Sequence, residues 1–159
     1  MLRHTLLKHL LIVYHSKTGN TAKLAQAAAD GAQSPDLDPV DVRLLEAKSA
    51  GPEDFLWADG LILATPENFG YMSGALKDFL DRTFYEVEGQ LRPLPYLLLI
   101  SAGNDGSGAV RAIERTANGY PFVAIAEPMI VRGTVTAADT EKSKELGMTL
   151  AAGLALGMY

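Results

Sequence analysis

The sequence predicts an α/β protein: a five-stranded parallel sheet with helices packed on both faces, a three-layer sandwich in one domain over residues 1–159. Three observations carry this reading. Short apolar runs at residues 10–14, 61–64 and 96–100 alternate with stretches of helical spacing. Those runs are apolar without interruption, the pattern of strands covered on both faces. Hydrophobic residues make up 48% of the 159 and mean hydropathy is +0.07, enough to bury one sizeable core.

The first strand is Leu10-Leu11-Ile12-Val13-Tyr14, and it runs through His15 into the turn Ser16-Lys17-Thr18-Gly19-Asn20-Thr21. The alanine-rich run from Ala22 to Ala32 follows with high helix propensity, so the order is strand, turn, helix. A polar, proline-containing loop leads to a second strand over residues 40–45, whose partial alternation predicts one wetter face. Pro52, Glu53 and Asp54 read as the first turn of a helix leading to Phe55, Leu56 and Trp57, with Trp57 as core or helix packing. The third strand, residues 61–64, ends in the loop from Thr65 to Gly74. Leu76, Phe79, Leu80 and Thr83 then mark a helix over residues 75–85.

Arg92-Pro93-Leu94-Pro95 introduces the fourth strand, residues 96–100, followed by a small-residue loop over residues 101–108. A helix over residues 109–117 stops at Asn118-Gly119. The fifth strand is placed at residues 129–132; Pro128 separates it from residues 122–126, which read as an approach segment or a strand start. Residues 136–159 close the chain as a helix, with Leu146, Leu150 and Leu154 four apart.

Composition excludes several function classes. A net charge of −5 leaves no basic face for nucleic acid. The absence of cysteine removes disulfides, thiol catalysis and iron–sulfur ligation, so redox chemistry would need a bound cofactor. No stretch approaches the roughly 20 apolar residues of a membrane span, and Met1 to Lys8 lead into a run too short for a signal peptide, so a cytoplasmic protein without membrane insertion is expected. No metal-ligand constellation is present, and no side chain is assigned a catalytic role. His15 beside the first turn is not taken as a proton donor, and His4 and His9 are expected at the surface.

In a parallel sheet of this kind ligands bind outside the carboxyl ends of the strands. The polar, glycine-containing turns after strands one, three and four should therefore meet in one crevice. The first turn has neither a Walker pattern nor a dinucleotide fingerprint. Its free amides, its hydroxyls at Ser16, Thr18 and Thr21 and the positive end of the following helix suit a phosphate, although the same residues also suit a plain helix cap.

Ser16-x-Thr18-Gly19-Asn20-Thr21 after a first apolar strand resembles the FMN-phosphate loop of flavodoxin-like proteins. Thr65-Pro66-x-Asn68-Phe69-Gly70-x-Met72-Ser73-Gly74, followed by Leu76-Lys77-Asp78-Phe79-Leu80-Asp81-Arg82-Thr83, resembles the flavin loop of NAD(P)H:quinone reductases of the tryptophan-repressor-binding-protein (WrbA) type and related FMN reductases. This likeness spans nearly the whole chain and implies strand order 2-1-3-4-5. It implies an FMN site built from Ser16, Lys17, Thr18, Gly19, Asn20 and Thr21 at the phosphate, and from Pro66, Glu67, Asn68, Phe69 and Gly70 at the ring. Ser101, Ala102, Gly103 and Asn104 would lie beneath the ring, where the sequence departs from the longer loop usual in the quinone reductases. Glu67 and Tyr71 are candidates to meet substrate, and Asp105 is expected to face solvent or cap the next helix.

The activity so implied is hydride transfer from NADH or NADPH through FMN to a quinone or similar acceptor, in a possible homodimer with contacts near Phe84 and Tyr85. Two other readings stand beside it. One is an electron-transfer flavodoxin passing single electrons between protein partners; the other is a non-enzymatic, flavin-responsive interaction protein.

Overall fold

The computed structural model describes residues 6–159; the surface position expected of His4, and most of the segment read as a poor signal peptide, lie outside the described residues. In chain order the elements are β1 (Lys8–Tyr14), α1 (Asn20–Ala32), β2 (Val40–Glu46), a 3-10 turn (Ala47–Ser49), α2 (Pro52–Trp57), β3 (Gly60–Asn68) and β4 (Tyr71–Met72). There follow α3 (Gly74–Val87), β5 (Leu94–Ala102), α4 (Ser107–Gly119), β6 (Phe122–Ala124), β7 (Met129–Arg132) and α5 (Ala137–Ala155).

The sheet runs β2-β1-β3-β5, parallel throughout, and ends in a divided edge: β6 pairs with Leu94–Tyr96 and β7 with Leu99–Ala102 of the same strand. Counting the parallel strands in the order the sequence announces them, this is the 2-1-3-4-5 arrangement. Both pieces flanking Pro128 are strand, because a proline without an N–H can sit between two short pairings but not inside one. The second difference lies at β3, which continues through Thr65–Asn68 and turns back as β4 in an antiparallel pair, where the sequence reading has a loop. The closing helix ends at Ala155 rather than running to Tyr159.

Period-two alternation along the central strands divides the core between the two faces. Leu10, Ile12, Ile62, Ala64, Leu97 and Leu99 point to one face and pack with the alanines of α1 and with Leu150 and Leu154 of α5. The short side chains of α1 let α5 lie close enough for Ser143 Oγ to donate to the Leu24 carbonyl at 2.6 Å. Leu11, Val13, Leu61, Leu63, Leu98 and Ile100 face the other way, onto Phe55 of α2, Phe79 of α3 and Ile113 of α4. Phe55 and Phe79 stack with ring centres 4.9 Å apart, and truncating either to alanine should cost about 3–5 kcal/mol.

His9 is not the surface residue expected. Its ring stacks on Trp57 at 4.3 Å, with Nδ1 2.8 Å from the Trp57 carbonyl oxygen, and the Arg43 guanidinium lies over the indole at 4.0 Å. Trp57 is thus a packing residue, and this cluster sits where β1 begins, away from the strands' carboxyl ends.

Candidate functional site

Because β1, β3, β5 and β7 are parallel, their carboxyl ends lie along one edge of the sheet. The segments that follow them line an open cleft of about 360 Å³, a volume within the roughly 300–1,000 Å³ range of small-molecule sites. Lys17, Thr18, Asn20 and Thr21 come from the first turn, and Pro66, Glu67 and Asn68 from the end of β3. Ser101, Ala102 and Gly103 come from the end of β5, and Gly133 and Thr134 follow β7.

The first turn is organised by Ser16. Its Oγ accepts the Gly19 amide at 3.2 Å and the Ala22 amide at 3.1 Å, which fastens the turn to α1 without lining the cleft. Gly19, with φ 101°, supplies the bend into the helix. The amides of Lys17, Thr18, Asn20 and Thr21 have no protein acceptor among the described residues, so four donors remain at the positive end of α1. Thr21 is buried, and its Oγ1 lies 2.7 Å from Ser101 Oγ. Two hydroxyls share one bond, so one of their two protons remains for a ligand. Asn20 Oδ1 accepts the Val135 amide at 3.3 Å and holds the turn after β7 against α1.

Glu67 is the one acidic residue lining the cleft, and its carboxylate is committed elsewhere. Oε1 accepts the Gly106 amide at 3.3 Å, and Oε2 accepts those of Gly108 and Ala109 at 2.9 and 3.2 Å. A carboxylate on the first turn of α4 is stabilised by three charge-assisted bonds and by the helix dipole. The free carboxylate expected to meet substrate is therefore replaced by a clamp between β3 and α4. Close packing reinforces it, since a Cβ on Gly108 would fall 2.0 Å from the Gly70 carbonyl oxygen.

Phe69 and Gly70 form the two-residue tip between β3 and β4, both with positive φ, 53° and 69°. The Phe69 ring is fully exposed and Tyr71 is 42% exposed, so two aromatic side chains stand free beside the cleft. Neither Phe69 nor Gly70 lines it, and Asn104 lies outside it as well. Asp105 behaves as expected: it accepts from the Ser107 amide and hydroxyl, each at 3.0 Å, and those bonds hold its carboxyl below the usual range. His15 Nδ1 is buried without a partner, a position that a proton on Nε2 leaves without a stranded donor.

Gly133 and Thr134 are the cleft residues the sequence reading missed. Their signal is the same as that of the other turns: a glycine and a hydroxyl directly after a buried strand. No group of three or more potential metal ligands occurs among the described residues, and no described helix is long and apolar enough to cross a membrane.

With the cleft defined, the likeness to known proteins is specific. Residues 9–138 match the family model described as NADPH-dependent FMN reductase. A flavodoxin of Aquifex aeolicus is 37% identical over 99 residues, which cover 62% of this chain and 52% of the relative. An NAD(P)H dehydrogenase (quinone) of Acidithiobacillus ferrooxidans is 35% identical over 95 residues, 48% of each chain. The chain thus spans about half the length of these curated relatives. Among solved structures, a WrbA-like flavodoxin from Agrobacterium tumefaciens superposes with a TM-score of 0.76 at 17% identity, covering 96% of this chain and 99% of its own; at that identity the likeness speaks for the fold.

Proposed function

Because the chain belongs to the NADPH-dependent FMN reductase family, we propose that it is an FMN-dependent NAD(P)H oxidoreductase reducing quinone-type acceptors. The observation that carries this reading is the first turn: four unpaired amides and two hydroxyl-bearing residues at the positive end of α1, in a cleft whose one carboxylate is taken up by amides of α4. Such a turn fits a phosphate monoester. FMN, when bound, supplies two-electron transfer between a nicotinamide donor and an acceptor.

In this reading the protein's part is binding and electrostatics. Lys17, Thr18, Asn20 and Thr21 hold the phosphate through amides and hydroxyls, with Ser16 keeping the turn in shape and Gly19 supplying its bend. Pro66, Glu67 and Asn68 set the backbone along the ring's edge, and Phe69 and Gly70 form the exposed tip beside it. Ser101, Ala102, Gly103 and Asn104 supply backbone donors on the other side, where they would favour negative charge on the reduced ring. Residues 1–159 act as one domain in the cytoplasm, and the end of α3 around the half-buried Phe84 and the exposed Tyr85 is the surface for a homodimer.

The test is direct. Purified protein mixed with FMN should turn yellow, bleach on anaerobic addition of NADPH and recover when a quinone is added. A second reading, one-electron transfer between proteins, is favoured by the flavodoxin relative. Bound FMN that NADPH leaves oxidised would select it.

A further inference from the structure

A second groove, of about 470 Å³, lies on the outer side of the β3–β4 tip, between α3 and α4. Its lining is cationic, in a chain carrying 19 acidic and 14 basic residues. Lys77 enters from α3, and Arg111 and Arg115 enter from α4, four residues apart and so on one face. Two like charges at that spacing disfavour each other by a few tenths of a kcal/mol in an isolated helix. Among the described residues neither arginine forms an ion pair within 4.0 Å; Arg111 donates to Ser107 Oγ at 3.3 Å and lies near enough to Asp105 to help hold its carboxyl low, while Arg115 has no such neighbour. Lys77 is held by Asp81 at 2.6 Å, and Asp78 is taken by Arg82 at 2.7 Å. Glu114 lines a different cavity, with Tyr96. The groove therefore keeps two unpaired guanidinium groups, the side chain best matched to phosphate oxygens.

Its position gives those charges a direction. The groove begins at Gly70 and Tyr71, the tip whose opposite flank lines the cleft, and follows α4 from Gly108 to Thr116. Eight residues of helix span roughly 12 Å, so an anion lying there would be elongated and would reach the cleft's edge at one end. We propose that this groove takes the phosphates of the dinucleotide electron donor, with Arg111 and Arg115 binding the pyrophosphate and the 2′-phosphate that distinguishes NADPH from NADH. This rests on the oxidoreductase reading above for the identity of the ligand, but not for the groove's preference for phosphate.

The experiment compares FMN-loaded wild-type protein with the double variant Arg111→Gln, Arg115→Gln. Both substitutions lie on an exposed helix face and leave the cleft intact. The expected result is a KM for NADPH at least tenfold higher, a smaller rise in KM for NADH, which shares the pyrophosphate but lacks the 2′-phosphate, kcat within twofold and unchanged FMN retention. Binding of 2′,5′-ADP, followed by calorimetry, should be present in wild-type protein and lost in the variant. An unchanged KM together with no 2′,5′-ADP binding would overturn the assignment and leave the oxidoreductase reading standing. Binding of 2′,5′-ADP that is lost in the variant, in a protein that does not oxidise NADPH, would support the phosphate groove and remove the activity. A shift in oligomeric state with unaltered KM would mean that a second copy covers the groove, and would also overturn the proposal.

Discussion

Glu67 and Tyr120 each bring a polar group into packed surroundings, and the partners of each decide what a substitution does. Both oxygens of Glu67 are used by α4 amides, so Glu67→Gln keeps the shape but turns an amide NH2 toward N–H donors. It should lower stability by about 1–2 kcal/mol, read as a lower urea midpoint at constant slope, and weaken FMN retention because the β3 backbone loses its anchor. Stability falling without any change in flavin affinity would make the clamp purely structural. Tyr120 OH donates to the Leu80 carbonyl and lies 2.7 Å from Thr83 Oγ1, and burial pushes its ionisation from 10.0 up to about 12. The unfolded chain then binds fewer protons than the folded one between those values, so stability present below pH 10 is lost as pH rises toward 12. Tyr120→Phe should cost about 1 kcal/mol at neutral pH and flatten the alkaline decline, which denaturant titrations at successive pH values would record.

The β3–β4 hairpin shows which elements the sequence makes legible and which it leaves to tertiary contacts. Uninterrupted apolar runs announce β1, β3 and β5, because burial on both faces leaves no polar residue in them. The two-residue tip has positive φ at both positions, the geometry of a turn that favours Asn-Gly, yet Phe69 occupies the first of them. No local signal could have announced that turn; Gly70, the Glu67 clamp and the contact with Gly108 impose it. A bulky residue with left-handed backbone costs roughly 1–2 kcal/mol, and the Phe69 ring, fully exposed beside the cleft, makes no packing that offsets it. Phe69→Asn should therefore raise the urea midpoint, equivalent to about 0.5–1 kcal/mol, while slowing quinone reduction. A more stable variant with full turnover would show that the ring has no part in the reaction. β6 and β7 were half legible for the opposite reason: their apolar residues show in the sequence, but Pro128 hides that both pair with one strand.

At the scale of the whole molecule, the cleft exists only because four turns distant in sequence end on one rim, so a ligand bound there ties β1, β3, β5 and β7 together. Three of those turns could be foreseen, since parallel topology sends every strand end to the same side; the fourth, Gly133-Thr134, follows a strand that is itself legible at residues 129–132, but it is too brief a turn to be read with the longer loops. A ligand that binds only the folded chain adds about 2.7 kcal/mol at one hundred times its dissociation constant. For a chain of this length each kcal/mol raises the melting temperature by roughly 2–4 °C, so saturating FMN should shift it upward by about 5–10 °C. Riboflavin has the same ring and no phosphate, and at the same concentration its shift should be smaller, because the free amides at α1 gain nothing from it. Thr18→Ala removes one hydroxyl from that turn and should narrow the gap between the two flavins, leaving the riboflavin shift as it was. Equal shifts for FMN and riboflavin in the wild-type protein would mean that α1 does not hold the phosphate, and the orientation assigned to the ring would have to be reversed along the rim.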